Sequence, residues 1–179
     1  KRSMKLLSDN EYWIIGQNIK YGGTSMYHTY KEYFDDRKIE LPIFEDVQMG
    51  MSTGMSLLGL KVLSIYPRMD FLIIALNQLI NHLDKIDEMS DGQFKPKLII
   101  RCCIGSTKPL MPGPQHCQNH TNSLKLMCTN IDVMELLNPE DIYLSYQKAI
   151  NSDKSTILIE YSDLYNVDIK EEIKKYKEK

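Results

Sequence analysis

The chain has 179 residues, 42% hydrophobic and 26% charged, with a formal net charge of −2 and a pI near 6.1. That length builds one domain with its own core and is too short for two, so residues 1–179 are expected to form a single domain. The balance of charge offers no basic face to nucleic acid, and no stretch approaches the ~18 consecutive apolar residues of a membrane span.

Lys1-Arg2-Ser3 opens a polar stretch without an apolar secretory core. The first strand reads over Tyr12-Trp13-Ile14-Ile15, an apolar run ending at Gly16 as a buried strand does on entering a loop. A helix rich in Met, Gly and Ser is predicted over 46–58, a strand over 61–65, and a long helix over 70–89. Further strands are predicted over 97–101, 123–128 and 156–159. A helix starts at Asn138, which can cap it; Pro139 suits the first turn, and Glu140 and Asp141 suit its positive end. The tail over 165–179 mixes Lys and Glu and reads as a solvated helix. Short apolar strands alternating with helices predict an α/β domain, three α/β/α layers around a mainly parallel central sheet.

The helix over 70–89 is apolar around most of its circumference, through Phe71, Leu72, Ile73, Ile74, Leu76, Leu79, Ile80, Leu83 and Ile86. Part of that surface is expected to meet another subunit; the alternative is a central core helix. Cys102, Cys103, Cys117 and Cys128 have no CxxC spacing and read as thiols in a reducing, cytoplasmic compartment. Phosphate-loop, nucleophile-elbow, zinc-protease and dinucleotide signatures are absent. Two positions stand out. Glu45 follows the apolar segment Leu41-Pro42-Ile43-Phe44 just before a helix, where a partly desolvated carboxylate could exchange a proton. His116 sits in the stiff loop Met111-Pro112-Gly113-Pro114-Gln115-His116 and could present its imidazole to a site. On spacing alone, an ordinary acid at a helix start is the favoured reading of Glu45, and His116 reads equally as a histidine satisfied within its loop.

Seven segments settle the choice by resemblance. They are Gly16-Gln17-Asn18-Ile19-Lys20-Tyr21-Gly22-Gly23, Pro42-Ile43-Phe44-Glu45, Gly59-Leu60-Lys61, Asn77-Gln78-Leu79-Ile80-Asn81, Met89-Ser90-Asp91-Gly92-Gln93, Gly113-Pro114-Gln115-His116-Cys117-Gln118 and Asn138-Pro139-Glu140-Asp141. In order and spacing the chain resembles the pyrimidine-binding domain of thiamine-diphosphate enzymes, in particular the β subunit of pyruvate dehydrogenase and related 2-oxo acid dehydrogenases. The resemblance implies the thiamine-diphosphate-binding fold of pyrimidine-binding type. It implies that Glu45 hydrogen-bonds N1′ of the cofactor's aminopyrimidine and moves the proton that leads to the reactive carbon. It also implies that Phe71 lies against the aminopyrimidine and that His116 binds or protonates substrate-derived groups. Departures are Gln17 for a more usual glutamate, Ile65 where an acid is frequent, Ile74 where glutamine can occur, and Cys117 for serine.

The family holds the diphosphate and Mg²⁺ through a GDG motif followed by an asparagine. Here the one Asp-Gly pair, Asp91-Gly92, falls in the match to a structural loop. The resemblance therefore implies a diphosphate-binding, α-like partner chain, with pyrimidine domains pairing as a homodimer inside an α₂β₂ assembly. The expected function is the β-like subunit of a two-chain enzyme acting on a small 2-oxo acid or ketose-type donor, by decarboxylation or two-carbon transfer. Family β subunits continue into a second α/β domain, so one alternative is the first domain of a conventional dehydrogenase β subunit. The Lys/Glu-rich ending reads as a natural terminus and favours the short protein. The other alternative is a non-catalytic scaffold or regulator of a thiamine enzyme.

Overall fold

The computed structural model describes residues 1–108 and 110–165. Apart from Tyr165, the helix expected over 165–179 lies outside them. The elements run α1 (Arg2–Asp9), β1 (Trp13–Gly16), α2 (Tyr27–Tyr30), β2 (Lys38–Glu40), α3 (Glu45–Leu57), β3 (Val62–Tyr66), α4 (Met69–Leu72), α5 (Ile86–Met89), β4 (Leu98–Ile104), α6 (Thr121–Met127), β5 (Asp132–Glu135), α7 (Pro139–Asn151) and β6 (Thr156–Tyr161). The six strands form one sheet in the order β2-β1-β3-β4-β6-β5, and every neighbouring pair is parallel. Ile14, Leu63, Ile99 and Thr156 lie in register across its centre.

The sheet is covered on both faces, which is why its central strands are mostly apolar, with Ser64, Arg101 and Glu160 buried among them. In β4, Leu98, Ile100, Cys102 and Ile104 point to one side, where Met49 of α3, Leu72 of α4 and Leu124 of α6 pack. Ile99 and Cys103 point to the other, against Met4 and Leu7 of α1, Tyr30 of α2 and Tyr146 of α7. The α/β class, the three layers and the parallel sheet are as the sequence predicts.

Several local expectations are corrected. Residues 123–128 are not a strand: 123–127 belong to α6 and Cys128 caps its end. Leu124, Met127 and Cys128 recur at helical spacing and meet the core, whereas Leu126, which a strand would pair with Leu124, is 84% exposed. The fifth and sixth strands are instead β2 and β5, three and four half-buried residues long, one at each edge of the sheet. The opening polar stretch forms α1, which buries Ser3, Met4 and Leu7 along one side. Asn138 does not cap α7 with its side chain; its amide donates to Asp141 Oδ2 at 3.1 Å.

The long helix over 70–89 is segmented. After α4 come a 3₁₀ turn at Ile73–Ala75 and a π-helical stretch at Asn77–Leu83, then a turn, then α5. The break falls where the buried Asp84 carboxylate turns away to accept the N–H groups of Thr129, Asn130 and Ile131. That tertiary contact outweighs continued helix. Leu72, Ala75, Leu79 and Leu83 face the core, while Ile74 is 55% exposed, so the segment is a surface layer and not a central core helix.

Candidate functional site

With all strands parallel, the carboxyl ends of β1 to β4 meet at one edge, where open α/β sheets bind ligands. The first part of that edge is built by β1 and β2. Glu40, the last residue of β2, accepts the backbone N–H groups of Asn18, Ile19 and Lys20, each at 2.7 Å. Tyr30 donates its hydroxyl to the Asn18 carbonyl at 2.9 Å. The loop after β1 is thereby fixed, and Gln17 at its start donates Nε2 to Glu45 Oε1 at 2.9 Å. Gly16 is required here: a Cβ on it would lie 2.6 Å from the Ile65 carbonyl oxygen of β3.

Glu45 is the first residue of α3 and only 3% exposed. The positive end of the helix dipole favours negative charge at that position. Among the described residues, Gln17 provides the one hydrogen bond to its carboxylate. Beneath it, Gln48 donates Nε2 to the Ile65 carbonyl at 2.8 Å and to Ser64 Oγ at 3.1 Å. Ser52 and Ser64 join hydroxyls at 3.0 Å. This buried polar brace locks α3 to β3 and so fixes where Glu45 stands. Tyr66, at the end of β3, donates its hydroxyl to the Glu45 main-chain oxygen at 3.4 Å. Burial pushes its phenol well above the ordinary value, keeping it a neutral donor.

The second part of the edge is the connection from β4 to α6. It carries His116 in a 3₁₀ turn at Pro114–His116. The His116 ring meets the Phe71 ring edge to face, with centroids 5.5 Å apart at 89°. Phe71 and His116 are thus brought together, and no hydrogen bond or ring contact among the described residues joins them to Glu45. Arg68 and Asp70, in the turn entering α4 and in its first turn, bind this connection at several points. Asp70 Oδ2 is buried without a hydrogen-bond partner among the described residues.

Gln17, Glu40, Gln48, Arg68 and Asp70 were not site candidates from the sequence. Only Gln17 carried a signal, as a departure from the family pattern. The others become visible when parallel strands bring their ends to one edge.

A cavity of about 840 Å³ lies elsewhere, on the α1 and α7 side of the sheet, with Arg101 and Glu160 in its wall. Those two charges bind each other bidentately, Arg101 Nε to Glu160 Oε1 at 2.9 Å and Nη2 to Oε2 at 2.7 Å. They satisfy each other and present no free charge of their own to that cavity. Among the described residues no group of three His, Cys, Asp or Glu side chains is arranged to hold a metal ion, and no helix is long and apolar enough to cross a membrane.

The sheet order and the helices on both faces define the class: an all-parallel, three-layer α/β domain of transketolase-like fold. Its fold is shared with a split-gene transketolase solved as an inactive β4 tetramer, at TM-score 0.67 and 15% identity over 89% of this chain and 48% of that one. It is also shared with benzoylformate decarboxylase from Polynucleobacter necessarius, at TM-score 0.61 and 15% identity over 93% and 31%. In sequence the chain is similar to pyruvate dehydrogenase E1 β subunits. It is 26% identical to that of Gracilaria tenuistipitata var. liui over 91% of this chain and 50% of the relative. It is 29% identical to the chloroplastic β-3 subunit of Oryza sativa subsp. japonica over 91% and 42%. The chain spans about half the length of the curated relatives it matches. No protein-family model matches it.

Proposed function

We propose that the chain is the pyrimidine-binding, β-like subunit of a two-chain thiamine-diphosphate enzyme acting on a 2-oxo acid or ketose-type donor, by decarboxylation or two-carbon transfer. The observation that carries this reading is Glu45, a nearly buried carboxylate with a single donor. Burying an acid without a full set of partners is costly, and a protein keeps such a group where a ligand completes the set. An aminopyrimidine fits the donors and surfaces present: a carboxylate oxygen for a ring nitrogen, and the Phe71 ring for the apolar face. Thiamine diphosphate, when bound, supplies a nucleophilic carbon that attacks the carbonyl of the donor. Glu45 would hold and move a proton at N1′, with Gln17 fixing the orientation of its Oε1. Phe71 would pack against the pyrimidine, and His116 would bind or protonate groups derived from the substrate.

The diphosphate and Mg²⁺ are assigned to an α-like partner chain. Support comes from the sequence, whose one Asp-Gly pair, Asp91-Gly92, is preceded by Ser90 and not by the glycine of a GDG motif, and forms a tight turn with φ of +49° and +78°. Pairing of two such domains within an α₂β₂ assembly is supported by exposed apolar side chains at Ile43, Phe44, Val47, Met51 and Ile74. Cytoplasmic residence belongs to the same proposal, with all four cysteines free; relatives are named as chloroplastic and mitochondrial subunits.

A second reading, the first domain of a conventional dehydrogenase β subunit, is favoured by the half-length match to the relatives. A non-catalytic scaffold is disfavoured, because a scaffold has no use for Glu45 in this setting. The test is co-expression with a partner chain carrying GDG and its asparagine, then a screen of 2-oxo acids with thiamine diphosphate and Mg²⁺. Turnover that needs both chains is expected. Sub-micromolar cofactor binding by the isolated chain in calorimetry would overturn the two-chain model.

A further inference from the structure

We propose that Arg68 is a positioning residue for His116, working with Asp70 from the turn between β3 and α4; this rests on the reading of His116 as a substrate-facing group. Arg68 Nη1 donates to the Gly105 carbonyl at 3.0 Å and to the carbonyl of His116 itself at 2.9 Å. One guanidinium therefore ties the start of the connection after β4 to the residue that bears the imidazole. Asp70 Oδ1 accepts the backbone N–H and the side-chain Nε2 of Gln118, both at 3.1 Å. Cys117 Sγ lies 3.5 Å from the Ser106 carbonyl, across the same base. Phe71, next to Asp70, sets the ring from its edge.

Among its described residues the connection has little regular structure apart from its 3₁₀ turn, so its shape depends on such ties. Bonds from a guanidinium or to a carboxylate are charge-assisted and stronger than those between neutral groups. His116 is gripped at its own carbonyl and two residues on, by a turn that also carries Phe71. A group that transfers or receives a proton needs its position fixed by neighbours of this kind.

Cys117, half-buried beside His116, makes the grip measurable in the full chain. Iodoacetamide labelling, read peptide by peptide, should rise about tenfold at Cys117 in Arg68→Met, the scale of one lost charged tie on local opening. Cys128 is the control, half-buried at the end of α6 with its thiol pushed up to about 12 by burial, and its rate should not change. Arg68→Lys retains a cationic donor and should restore much of the slow rate. An unchanged Cys117 rate in Arg68→Met overturns the proposal, and so does a parallel rise at Cys128, which would mean general loosening. In the reconstituted two-chain enzyme, adding Arg68→Met to His116→Ala should lower kcat no further than His116→Ala alone. Deuterium exchange at the thiazolium carbon should stay at the unmodified level in each variant. Additive losses would show that Arg68 does not act through His116. Failure of the thiamine reading would look different, with no exchange or turnover even in the unaltered protein, while the labelling still decides whether Arg68 holds the loop.

Discussion

Glu160 and Glu45 are buried almost equally, at 5% and 3% exposure, in very different company. Glu160 takes two bonds from Arg101, one from Tyr146 at 2.6 Å and one from Tyr165. Arg101 is further anchored to Thr29 Oγ1 at 2.8 Å. Burial alone would push the Glu160 carboxyl up, but the Arg101 charge and these hydrogen bonds outweigh it and hold it below the usual carboxylate range. Glu45 has Gln17. A buried acid whose lone pairs are all used belongs to the scaffold, whereas one left with spare capacity at a sheet edge is available to a ligand. The difference lies in hydrogen-bond accounting and not in depth of burial.

Substitution should separate the two most sharply at Arg101. Arg101→Met leaves Glu160 charged and buried against two tyrosines, and is expected to cost about 3–5 kcal/mol in urea unfolding. Replacing both partners, Arg101→Met with Glu160→Leu, should recover much of that loss, since an apolar pair of similar volume carries no stranded charge. Glu45→Gln in the same assay should shift stability by less than ~1 kcal/mol, because the glutamine still finds the Gln17 amide. Equal destabilisation at the two sites would erase the distinction.

The converse holds for turnover. In the reconstituted enzyme Glu45→Gln should lose roughly 10²-fold or more, about 2.7 kcal/mol of barrier, as expected when a proton-moving group is replaced by one that can only hydrogen-bond. Deuterium exchange at the thiazolium carbon should slow with it. His116→Ala should fall more mildly, in a substrate-dependent way, and leave that exchange near its starting rate. Unchanged exchange in Glu45→Gln would remove Glu45 from the proposed role.

The same accounting explains what could be read from the sequence. The central strands were legible because each has a neighbour on either side and a helix layer on either face, which favours a mostly apolar run. The edge strands β2 and β5 were not, since half their surroundings are solvent and Lys38-Ile39-Glu40 looks like any loop. Leu124 to Cys128 misled because Leu-Lys-Leu alternates at period two while its buried residues recur at helical spacing. At the site, Glu45 and His116 stood out by position, but their roles and Phe71 came only through resemblance; spacing by itself favoured an ordinary helix-start acid at Glu45. Gln17, Glu40 and Arg68 act on residues far away in the chain, so no local pattern announces them.

Gly16 tests the support beneath the open acid. Any side chain there would press on the Ile65 carbonyl at 2.6 Å and on Gln48 Nε2 at 3.2 Å. Gly16→Ala should therefore cost about 2 kcal/mol through forced displacement at a position whose φ of +150° disfavours a side chain. Because the displacement falls between Gln17 and the brace under α3, cofactor binding by the reconstituted enzyme should weaken with it. An alanine variant of full stability would show that β1 and β3 can separate without harm.

A smaller loss than at Arg101 or Gly16 is expected at a third buried acid, Asp84, which resembles Glu160 in having its oxygens fully used, though chiefly by backbone. Its Oδ1 takes the N–H groups of Asn130 and Ile131 at 2.8 and 3.1 Å, and Oδ2 takes the Thr129 hydroxyl at 2.9 Å with Lys85 alongside at 3.1 Å. Burial would push its carboxyl up, but the N–H and hydroxyl donors and Lys85 together hold it below the ordinary value. A carboxyl lowered by folding contributes stability that is present above its unfolded pKa, about 3.9, and is lost as pH falls through the folded value. Asp84→Asn should cost about 1–2 kcal/mol at neutral pH, since one carbonyl oxygen must serve donors that two charged oxygens now share. The variant should also lose less stability between pH 5 and strong acid than the parent, by an amount approaching its neutral-pH deficit. Two parallel acid limbs, displaced by the same amount at every pH, would mean that Asp84 holds the α6–β5 turn by shape alone and that its charge does no work there.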